Sequence, residues 1–198
     1  DLRAVTLDKV IFYYVDHSFY TERGGIYGDT AHAPYDDNLV RYTLLDKAAM
    51  ALVKALGWKP DVMHCHDWTT GFIPYLMKTS GDDFWSSTKS VMTIHNLAYQ
   101  GEFSRLDLLG CDIEPDPRLF GGPAPSKRTN MLKSGLEFGD LLSTVSPTYA
   151  KEIQSAEYGC GLDSLLRQRS ADLVGIINGI DYEEWDPQSD GFMKYHFS

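Results

Sequence analysis

Apolar residues are grouped in short, uninterrupted runs that recur at intervals along the chain. The first run occupies residues 10–15 (VIFYYV), and further runs occupy 61–65, 90–94, 141–145 and 172–177. Short apolar runs rich in β-branched and aromatic side chains are typical of strands that are buried on both faces of a sheet. The pattern therefore predicts five strands, and the strand at 10–15 is expected to be buried on both faces.

The periodicity changes to that of a helix after the first of these runs. Apolar side chains recur at intervals of three and four residues, the spacing of one helix face, at Leu39, Tyr42, Leu45, Ala49, Leu52, Val53 and Leu56. This spacing predicts a helix over residues 39–56. A shorter helix is predicted over 71–78, with Pro74 in its first turn, and another is predicted to begin at Pro147. Residues 17–37, which include three glycines, are predicted to form an irregular loop.

Predicted strands and helices alternate along the chain, and the strands are apolar. This alternation is typical of an α/β fold with a mostly parallel, Rossmann-like sheet and flanking helices. Residues 102–128 hold four of the nine prolines and are predicted to form an ordered excursion with short helices. Residues 186–198 have the composition of a linker or a truncated domain boundary, which leaves residues 1–185 as one partial domain.

Composition and charge restrict the kinds of partner. Of the 198 residues, 43% are hydrophobic and 23% are charged, as in globular domains, and the formal net charge is −10. A negative charge repels phosphate backbones, so nucleic acid is not expected as a partner. No apolar run approaches the roughly 20 residues that a membrane-spanning helix needs, and no membrane partner is expected.

The cysteines and the first residues bear on the compartment. Cys65, Cys111 and Cys160 are odd in number and widely spaced, which argues against a disulfide framework and for a reducing compartment. The N-terminal residues have the pattern of neither a signal peptide nor a transit peptide. The expected location is the bacterial cytoplasm, with a plastid as the alternative.

Three polar clusters directly follow predicted strands. His66, Asp67 and Trp68 follow the second strand, residues 95–96 (HN) the third, and residues 178–181 (NGID) the last. Ligands of open parallel sheets bind beyond the carboxyl ends of the strands. Carboxylates accept hydrogen bonds from sugar hydroxyls, and aromatic rings cover the apolar faces of sugar rings. The clusters therefore indicate a carbohydrate site at this rim of the sheet.

Each cluster also has other interpretations. Asp67 can cap the helix that follows it while Trp68 packs in the core, and His95 can be a buried histidine whose hydrogen bonds are satisfied within the fold. A metal-dependent hydrolase is a further alternative, because His64 and His66 lie on the same face of a strand. It is the less favoured one, since the corresponding motif needs another histidine just after Asp67 and the sequence has none there.

Several longer segments carry a resemblance to a known family. They occur in the family's order over nearly the whole chain, at 61–74 (DVMHCHDWTTGFIP), 93–101 (TIHNLAYQG), 130–135 (NMLKSG), 144–150 (TVSPTYA), 158–162 (YGCGL), 177–181 (INGID) and 185–187 (WDP). On these segments the chain resembles bacterial glycogen synthases and starch synthases.

The resemblance implies a two-domain glycosyltransferase of the GT-B type, in which two Rossmann-like domains face each other across a cleft. Residues 1–185 would be the partial N-terminal, acceptor-side domain, and 186–198 the interdomain linker or its truncated boundary. The C-terminal domain of the same protein, which holds the donor diphosphate in this family, would be a partner. The chain alone is then expected to lack transferase activity, and a glucan-binding module without catalysis is the alternative.

The reaction that the resemblance implies is the transfer of glucose from ADP-glucose to the non-reducing end of an α-1,4-glucan, with retention of configuration. It implies no metal and no other cofactor. Matching positions in this sequence are His95 and Asp67 as catalytic residues, and Tyr27, Trp68, Asn96 and Asn178 as substrate-binding residues. Asn178 would lie near the donor, and the others would line the acceptor and transferred-glucose site.

Overall fold

The computed structural model describes residues 1–29, 33–120 and 128–197. Two strands, β1 (Leu2–Leu7) and β2 (Val10–Val15), precede the helices α1 (Ser18–Thr21) and α2 (Asn38–Ala55). The remaining strands and helices are, in chain order, β3 (Val62–His66), α3 (Ile73–Thr79), β4 (Lys89–Ile94), β5 (Glu102–Ser104), β6 (Arg128–Asn130), α4 (Met131–Phe138), β7 (Leu141–Thr144), α5 (Pro147–Glu152), α6 (Asp163–Gln168) and β8 (Leu173–Gly175). Turns of 3-10 helix lie at Trp68–Thr70, Asp83–Trp85, Arg105–Cys111 and Pro117–Leu119.

The central sheet consists of four parallel strands in the order β3, β4, β7, β8. Cys65 lies opposite Met92, and Met92 lies opposite Leu142. All three side chains are fully buried, because alternate residues of each strand point to the face that the helices cover. The predicted α/β fold with a parallel sheet is confirmed.

Helix α2 contributes to two apolar clusters. Val53, near its C-terminus, belongs to the cluster against the sheet, together with Met92 and Leu136. Leu39 and Tyr42, near its N-terminus, belong to a second cluster. Because α2 is anchored in both clusters, the position of its N-terminal turn relative to the sheet is fixed.

The opposite face of the central sheet is partly exposed in the described part of the chain. Val62, Leu141 and Val174, on three different strands, are 50%, 54% and 51% exposed. Thr93 and Ser143, on the same face of β4 and β7, are buried, with 8% and 7% exposure. Apolar residues occupy both faces of these strands, so the sequence does not show which of their side chains are exposed.

Strand β2 matches the predicted range 10–15, but its position in the fold differs from the prediction. It pairs antiparallel with β1 in a separate hairpin. Asp8 and Lys9 form the turn, both at positive φ (48° and 70°), as two-residue hairpin turns of type I′ require. Most of its side chains are exposed, including Ile11 at 54%. The expected burial is wrong because residues 2–7 supply a hairpin partner outside the central sheet.

The other predicted helices and strands agree with the structure apart from their ends. The helix predicted over 39–56 is α2, that over 71–78 is α3 with Pro74 in its first turn, and the helix beginning at Pro147 is α5. The strand predicted over 172–177 is shortened to β8. Helices α4 and α6, of eight and six residues, are not predicted from the sequence.

The irregular segments contain more structure than their sequences suggest. The excursion predicted over 102–128 contains β5, the start of β6 and two 3-10 helices, and its residues 121–127 lie outside the described residues. The loop predicted over 17–37 contains α1, and its residues 30–32 lie outside the described residues. Residues 176–197 contain neither helix nor strand, and the boundary at 186 stays a prediction. Within the described ranges, no helix is long and apolar enough to span a bilayer.

Asp46 is a fully buried carboxyl group in α2. Its Oδ2 accepts a hydrogen bond from Phe72 N at 3.1 Å, whereas Oδ1 has no partner among the described residues. Loss of hydration raises the pKa of Asp46 well above its ordinary value, and the hydrogen bond from Phe72 N opposes this to a smaller extent. Ionised Asp46 is therefore unfavourable in the folded chain.

We expect Asp46→Asn to stabilise the chain relative to the parent at neutral and alkaline pH. A carboxyl group whose pKa is raised on folding contributes stability below its unfolded pKa, about 3.9, and the contribution is lost as the pH rises through the folded-state value. Asparagine keeps an acceptor for Phe72 N and carries no charge, so a gain of about 1 kcal/mol or more is expected at about pH 8. Urea unfolding at several pH values measures the difference. A variant less stable than the parent at every pH would contradict the role given to the charge.

Candidate functional site

Asp67 connects the carboxyl ends of β3 and β4. It directly follows β3, and its N–H donates to Thr93 O at 2.9 Å. Its Oδ1 accepts hydrogen bonds from His95 N at 2.8 Å and from Asn96 N at 3.4 Å, so one carboxylate oxygen fixes the first two residues after β4. The backbone of Asp67 has φ 54° and ψ −168°, a costly conformation for a residue with a Cβ that occurs at functional sites where the surroundings enforce it.

The interpretation of Asp67 as a helix cap is wrong. Its side chain makes no hydrogen bond to the 3-10 helix Trp68–Thr70. That turn is fixed instead by Thr70, whose Oγ1 accepts a hydrogen bond from His66 N at 2.6 Å and donates to His66 O at 2.9 Å. The carboxylate of Asp67 is thereby available to the neighbouring strand end.

Trp68 packs against both apolar clusters and also lines a cavity. The centroid of its ring lies 4.6 Å from that of Tyr42, edge to face, and 5.9 Å from those of Tyr27 and Phe103. Gly101, at φ 62°, passes so close that a Cβ there would collide with the indole. Core packing therefore accounts for only part of this side chain, and the rest faces the cavity.

The cavity beside Asp67 and Trp68 has a volume of about 1030 Å³. One wall is formed by residues 25–29 and another by residues 98–103, with Cys160 beside them. Its lining combines the aromatic residues Tyr27, Trp68, Tyr99 and Phe103 with the polar residues Asp29, Asn38, Asp67, Gln100 and Glu102. This combination matches the chemistry of sugar recognition, in which rings stack on apolar sugar faces and acceptors bind hydroxyls.

His95 lies next to this cavity without lining it. Its side chain is exposed, so the interpretation of His95 as a buried histidine is wrong. His95 Nε2 lies 3.0 Å from His66 Nδ1, and the ring centroid of His66 lies 4.2 Å from that of His64. The three imidazoles therefore form a row at the ends of β3 and β4.

The structure brings Tyr27 and Asn96 close to the cavity at the ends of β3 and β4, but it does not bring Asn178 there. Tyr27 reaches Trp68 from the loop before α2. The side-chain oxygen of Asn96 accepts a hydrogen bond from Ala98 N at 3.0 Å and so shapes the turn that leads into the cavity wall. Asn178 is exposed and follows β8, which is at the opposite edge of the sheet from β3.

The residues of the possible metal motif do not converge on one point. Cys65 is fully buried in the core. His64 Nε2 instead lies 2.7 Å from Thr93 Oγ1, and this hydroxyl lies 2.6 Å from Ser143 Oγ. Over the residues that the structure describes, no three His, Cys, Asp or Glu side chains are grouped so that they could hold a metal ion. The expectation of no metal and no cofactor stays a prediction.

Several cavity residues are missing from the predicted site, namely Tyr99, Gln100, Glu102, Phe103 and Cys160. Gln100 shows how they are held together. Its Nε2 donates to Cys160 O at 3.0 Å and its Oε1 accepts from Asn130 Nδ2 at 2.6 Å. Three of the five lie within segments 93–101 and 158–162, which carry the family resemblance, but residue type and position in the sequence do not indicate that they share a cavity.

The parallel strands define the chain as an α/β protein. Its candidate site is the cavity beyond their carboxyl ends, which is lined with aromatic rings and carboxylates. The family described as the starch synthase catalytic domain matches residues 1–168. The chain belongs to this family, and the resemblance drawn from the sequence segments is confirmed.

Individual relatives agree with this assignment. The glycogen synthase of Anaeromyxobacter sp. (strain Fw109-5) is 44% identical over 197 residues, which are 98% of this chain and 41% of that protein. Glycogen synthase 1 of Geobacter sulfurreducens is 42% identical over 190 residues, 94% of this chain and 37% of that protein. Among solved structures, the chain resembles the catalytic domain of starch synthase IV from Arabidopsis thaliana, which was solved with ADP and acarbose bound. The TM-score is 0.80 and the sequence identity is 33%. The match covers 99% of this chain and 40% of that one. The chain thus spans about 40% of the length of the proteins it matches.

The pKa of His66 lies below its ordinary value. Loss of hydration is the largest cause, followed by the neighbouring His64 and His95, whereas the carboxylate of Asp67 acts in the opposite direction. A neutral His66 can share one hydrogen bond with His95 Nε2, which two protonated imidazoles cannot do. The neutral form of His66 is therefore favoured at this rim.

We expect the chain to lose stability as the pH falls below about 6.5, in part through His66. Because its pKa is depressed on folding, the unfolded chain takes up this proton at a higher pH than the folded chain, and the free energy of unfolding declines in that range. His66→Gln removes this component, so its melting temperature should depend less on pH between about 7 and 5. Calorimetric melting at several pH values makes the comparison, with His196→Gln in the exposed tail as the matched control. Equal pH dependence in the parent and in His66→Gln would exclude the effect.

Proposed function

We propose that the protein to which this chain belongs transfers glucose from ADP-glucose to the non-reducing end of an α-1,4-glucan with retention of configuration. The chain's cavity would hold the glucan acceptor. The observation that carries the proposal is the cavity beside Asp67 and Trp68, with aromatic rings and carboxylates at the strand ends, in a member of the starch synthase catalytic domain family. The starch synthase IV structure that resembles this chain has ADP and acarbose bound.

The size and lining of the cavity suit an oligosaccharide. Its volume of about 1030 Å³ is at the upper end of the range of small-molecule pockets, about 300–1,000 Å³. Tyr27 and Trp68 would stack on the apolar faces of glucose units, and Asn96 would hold the turn that leads into residues 98–103. Asn178, which lies apart from the cavity, is assigned to the donor side.

Asp67 and His95 would act on the transferred glucose. The Oδ1 of Asp67 is already engaged by two backbone N–H groups, which hold the carboxylate in place for a sugar hydroxyl at Oδ2. Its negative charge would favour the positive charge that develops on the glucosyl ring, and its fixed position means that little reorganisation is needed. The His95 imidazole would hydrogen-bond the same sugar, and the leaving diphosphate would accept the proton of the attacking hydroxyl. The reaction as proposed uses no metal and no other cofactor.

Glucan binding without catalysis is the second candidate function for residues 1–198. The chain spans 41% of the Anaeromyxobacter relative, and transition-state stabilisation in a two-domain transferase needs groups from both sides of the cleft. We therefore assign the transfer to the whole protein, acting with its C-terminal domain, and glucan binding to this chain. Incorporation of labelled glucose into glycogen by residues 1–198 alone would contradict this division.

Residues 1–198 should bind maltoheptaose, and Trp68→Ala should weaken the binding about tenfold or more, because the indole face is lost from the cavity. Titration calorimetry measures the dissociation constants. Trp58→Ala is the matched control, since Trp58 is exposed and does not line the cavity. Absence of binding in the parent, or an equal loss in the two variants, would refute the glucan site.

In the full-length protein, His95→Ala should lower kcat roughly 100-fold or more while the KM for ADP-glucose changes much less, because the interaction develops in the transition state. Initial rates with ADP-glucose and glycogen give both constants. His196→Ala is the control, since His196 lies in the exposed tail. Unchanged kcat in His95→Ala would remove this residue from the mechanism.

A further inference from the structure

Arg41 is the most deeply buried cationic side chain among the described residues, with 1% exposure. It lies in the first turn of α2. Its guanidinium group is bound by oxygen atoms that carry no net charge: Nε donates to Phe19 O at 2.9 Å, and Nη1 donates to Ile26 O at 3.0 Å and to Asn38 Oδ1 at 2.6 Å. Burying a charge is costly unless its hydrogen-bonding groups are satisfied, so the position calls for a specific explanation.

Aromatic rings complete the surroundings of the guanidinium. Its carbon lies 4.9 Å from the ring centroid of Tyr35, 5.5 Å from that of Tyr42 and 5.6 Å from that of Tyr20. Cations are attracted to the faces of such rings, and a planar guanidinium can stack on them while it donates in its own plane. A lysine at this position could offer only a point charge.

The two backbone carbonyl groups that Arg41 binds lie at the ends of the stretch that leads to Tyr27. Phe19 is in α1, and Ile26 directly precedes Tyr27. The same short stretch is held by two further bonds from α2, since Tyr42 Oη donates to Ile26 O at 3.0 Å and Asn38 Nδ2 donates to Tyr27 O at 2.8 Å. Residues 25–29 are therefore docked onto the N-terminal turn of α2.

Residues 25–29 form one wall of the cavity, and the ring of Tyr27 lies 5.9 Å from Trp68. Asp67 and Trp68, which line the same cavity, belong to the rim of the sheet. The position of Tyr27 relative to Trp68 thus depends on how residues 25–29 are docked onto α2. Arg41 bonds both to Ile26 O within this wall and to Phe19 O before it, and it does not itself line the cavity.

We propose that Arg41 is a positioning residue for the glucan acceptor: it holds the wall at residues 25–29 at the distance that lets Tyr27 and Trp68 bind the same oligosaccharide. The claim that this arrangement serves glucan binding rests on the proposed function. The claim that Arg41 holds residues 25–29 in place concerns the ligand-free chain only. The two claims are therefore tested by separate measurements on the same variants.

The test compares Arg41→Lys with Arg169→Lys. Arg169 is a matched control, because it too donates to backbone carbonyl groups, those of Leu136 and Gly139, both at 2.7 Å, but near the amino end of β7 and away from the cavity. Hydrogen–deuterium exchange of the ligand-free chain, read on peptides that cover residues 23–29, reports on the wall. Titration with maltoheptaose reports on the acceptor site, and circular dichroism and melting temperature report on folding.

Arg41→Lys should exchange at residues 23–29 about tenfold faster than the parent, since local opening is governed by the lost contacts, and should bind maltoheptaose about five- to tenfold more weakly. Arg169→Lys should lower the melting temperature without either change. Unchanged exchange at residues 23–29 in Arg41→Lys, or the same change in both variants, would overturn the proposal.

The outcome separates this proposal from the proposed function. If the parent chain does not bind maltoheptaose, the glucan function fails, and exchange at residues 23–29 still decides whether Arg41 holds the wall. If exchange rises in Arg41→Lys and the affinity does not fall, the wall is positioned by Arg41 but does not serve the glucan, and the proposal is overturned. Should Arg41→Lys fail to fold, Tyr42→Phe removes one of the two side-chain bonds to Ile26 O and must change both measurements in the same direction, to a smaller extent.

Discussion

The backbone N–H groups of His95 and Asn96 bond to the carboxylate of Asp67, and the site is built around these contacts. Neighbouring parallel strands end at the same edge of a sheet, but nothing in that pairing prevents the loops beyond them from diverging. A hydrogen bond to a charged acceptor contributes about 1.5–3 kcal/mol. This is comparable to the roughly 1–3 kcal/mol cost of the backbone conformation at Asp67. The hydrogen bonds to the loop after β4 therefore offset the cost of the backbone conformation at Asp67.

The cavity lies between two walls that are fixed in different ways. The sheet-side wall follows from strand pairing and from Trp68, which packs into both apolar clusters. The other wall is a loop without regular structure between residues 22 and 29, and its position depends on hydrogen bonds to the first turns of α2. Because α2 is itself anchored in both clusters, packing of the core determines the width of the cavity. An irregular loop can line a defined site when a buried arginine satisfies its carbonyl groups.

Some elements follow from local pattern and others do not. The apolar stripe that begins at Leu39 predicts the ends of α2 to within one residue, because a helix of 18 residues repeats its period several times. Strand β2 has the composition of a buried strand, yet it lies in an exposed hairpin, since its partner is the preceding β1 rather than a strand of the central sheet. Burial depends on what packs against a strand, and composition does not contain that information.

The sequence by itself determined the parallel α/β class, the main helix and the placement of Asp67, Trp68, His95 and Asn96 at strand ends, because periodicity and strand-end position are local properties. Its motifs also determined the family. Only the tertiary structure decided that Asp67 binds the next loop rather than capping its own helix, that Tyr99 and Glu102 face the same cavity as Tyr27, and that Asn178 stands apart at the far edge of the sheet. These are relations between segments distant in the chain, and they arise from strand order and core packing, which no local pattern specifies.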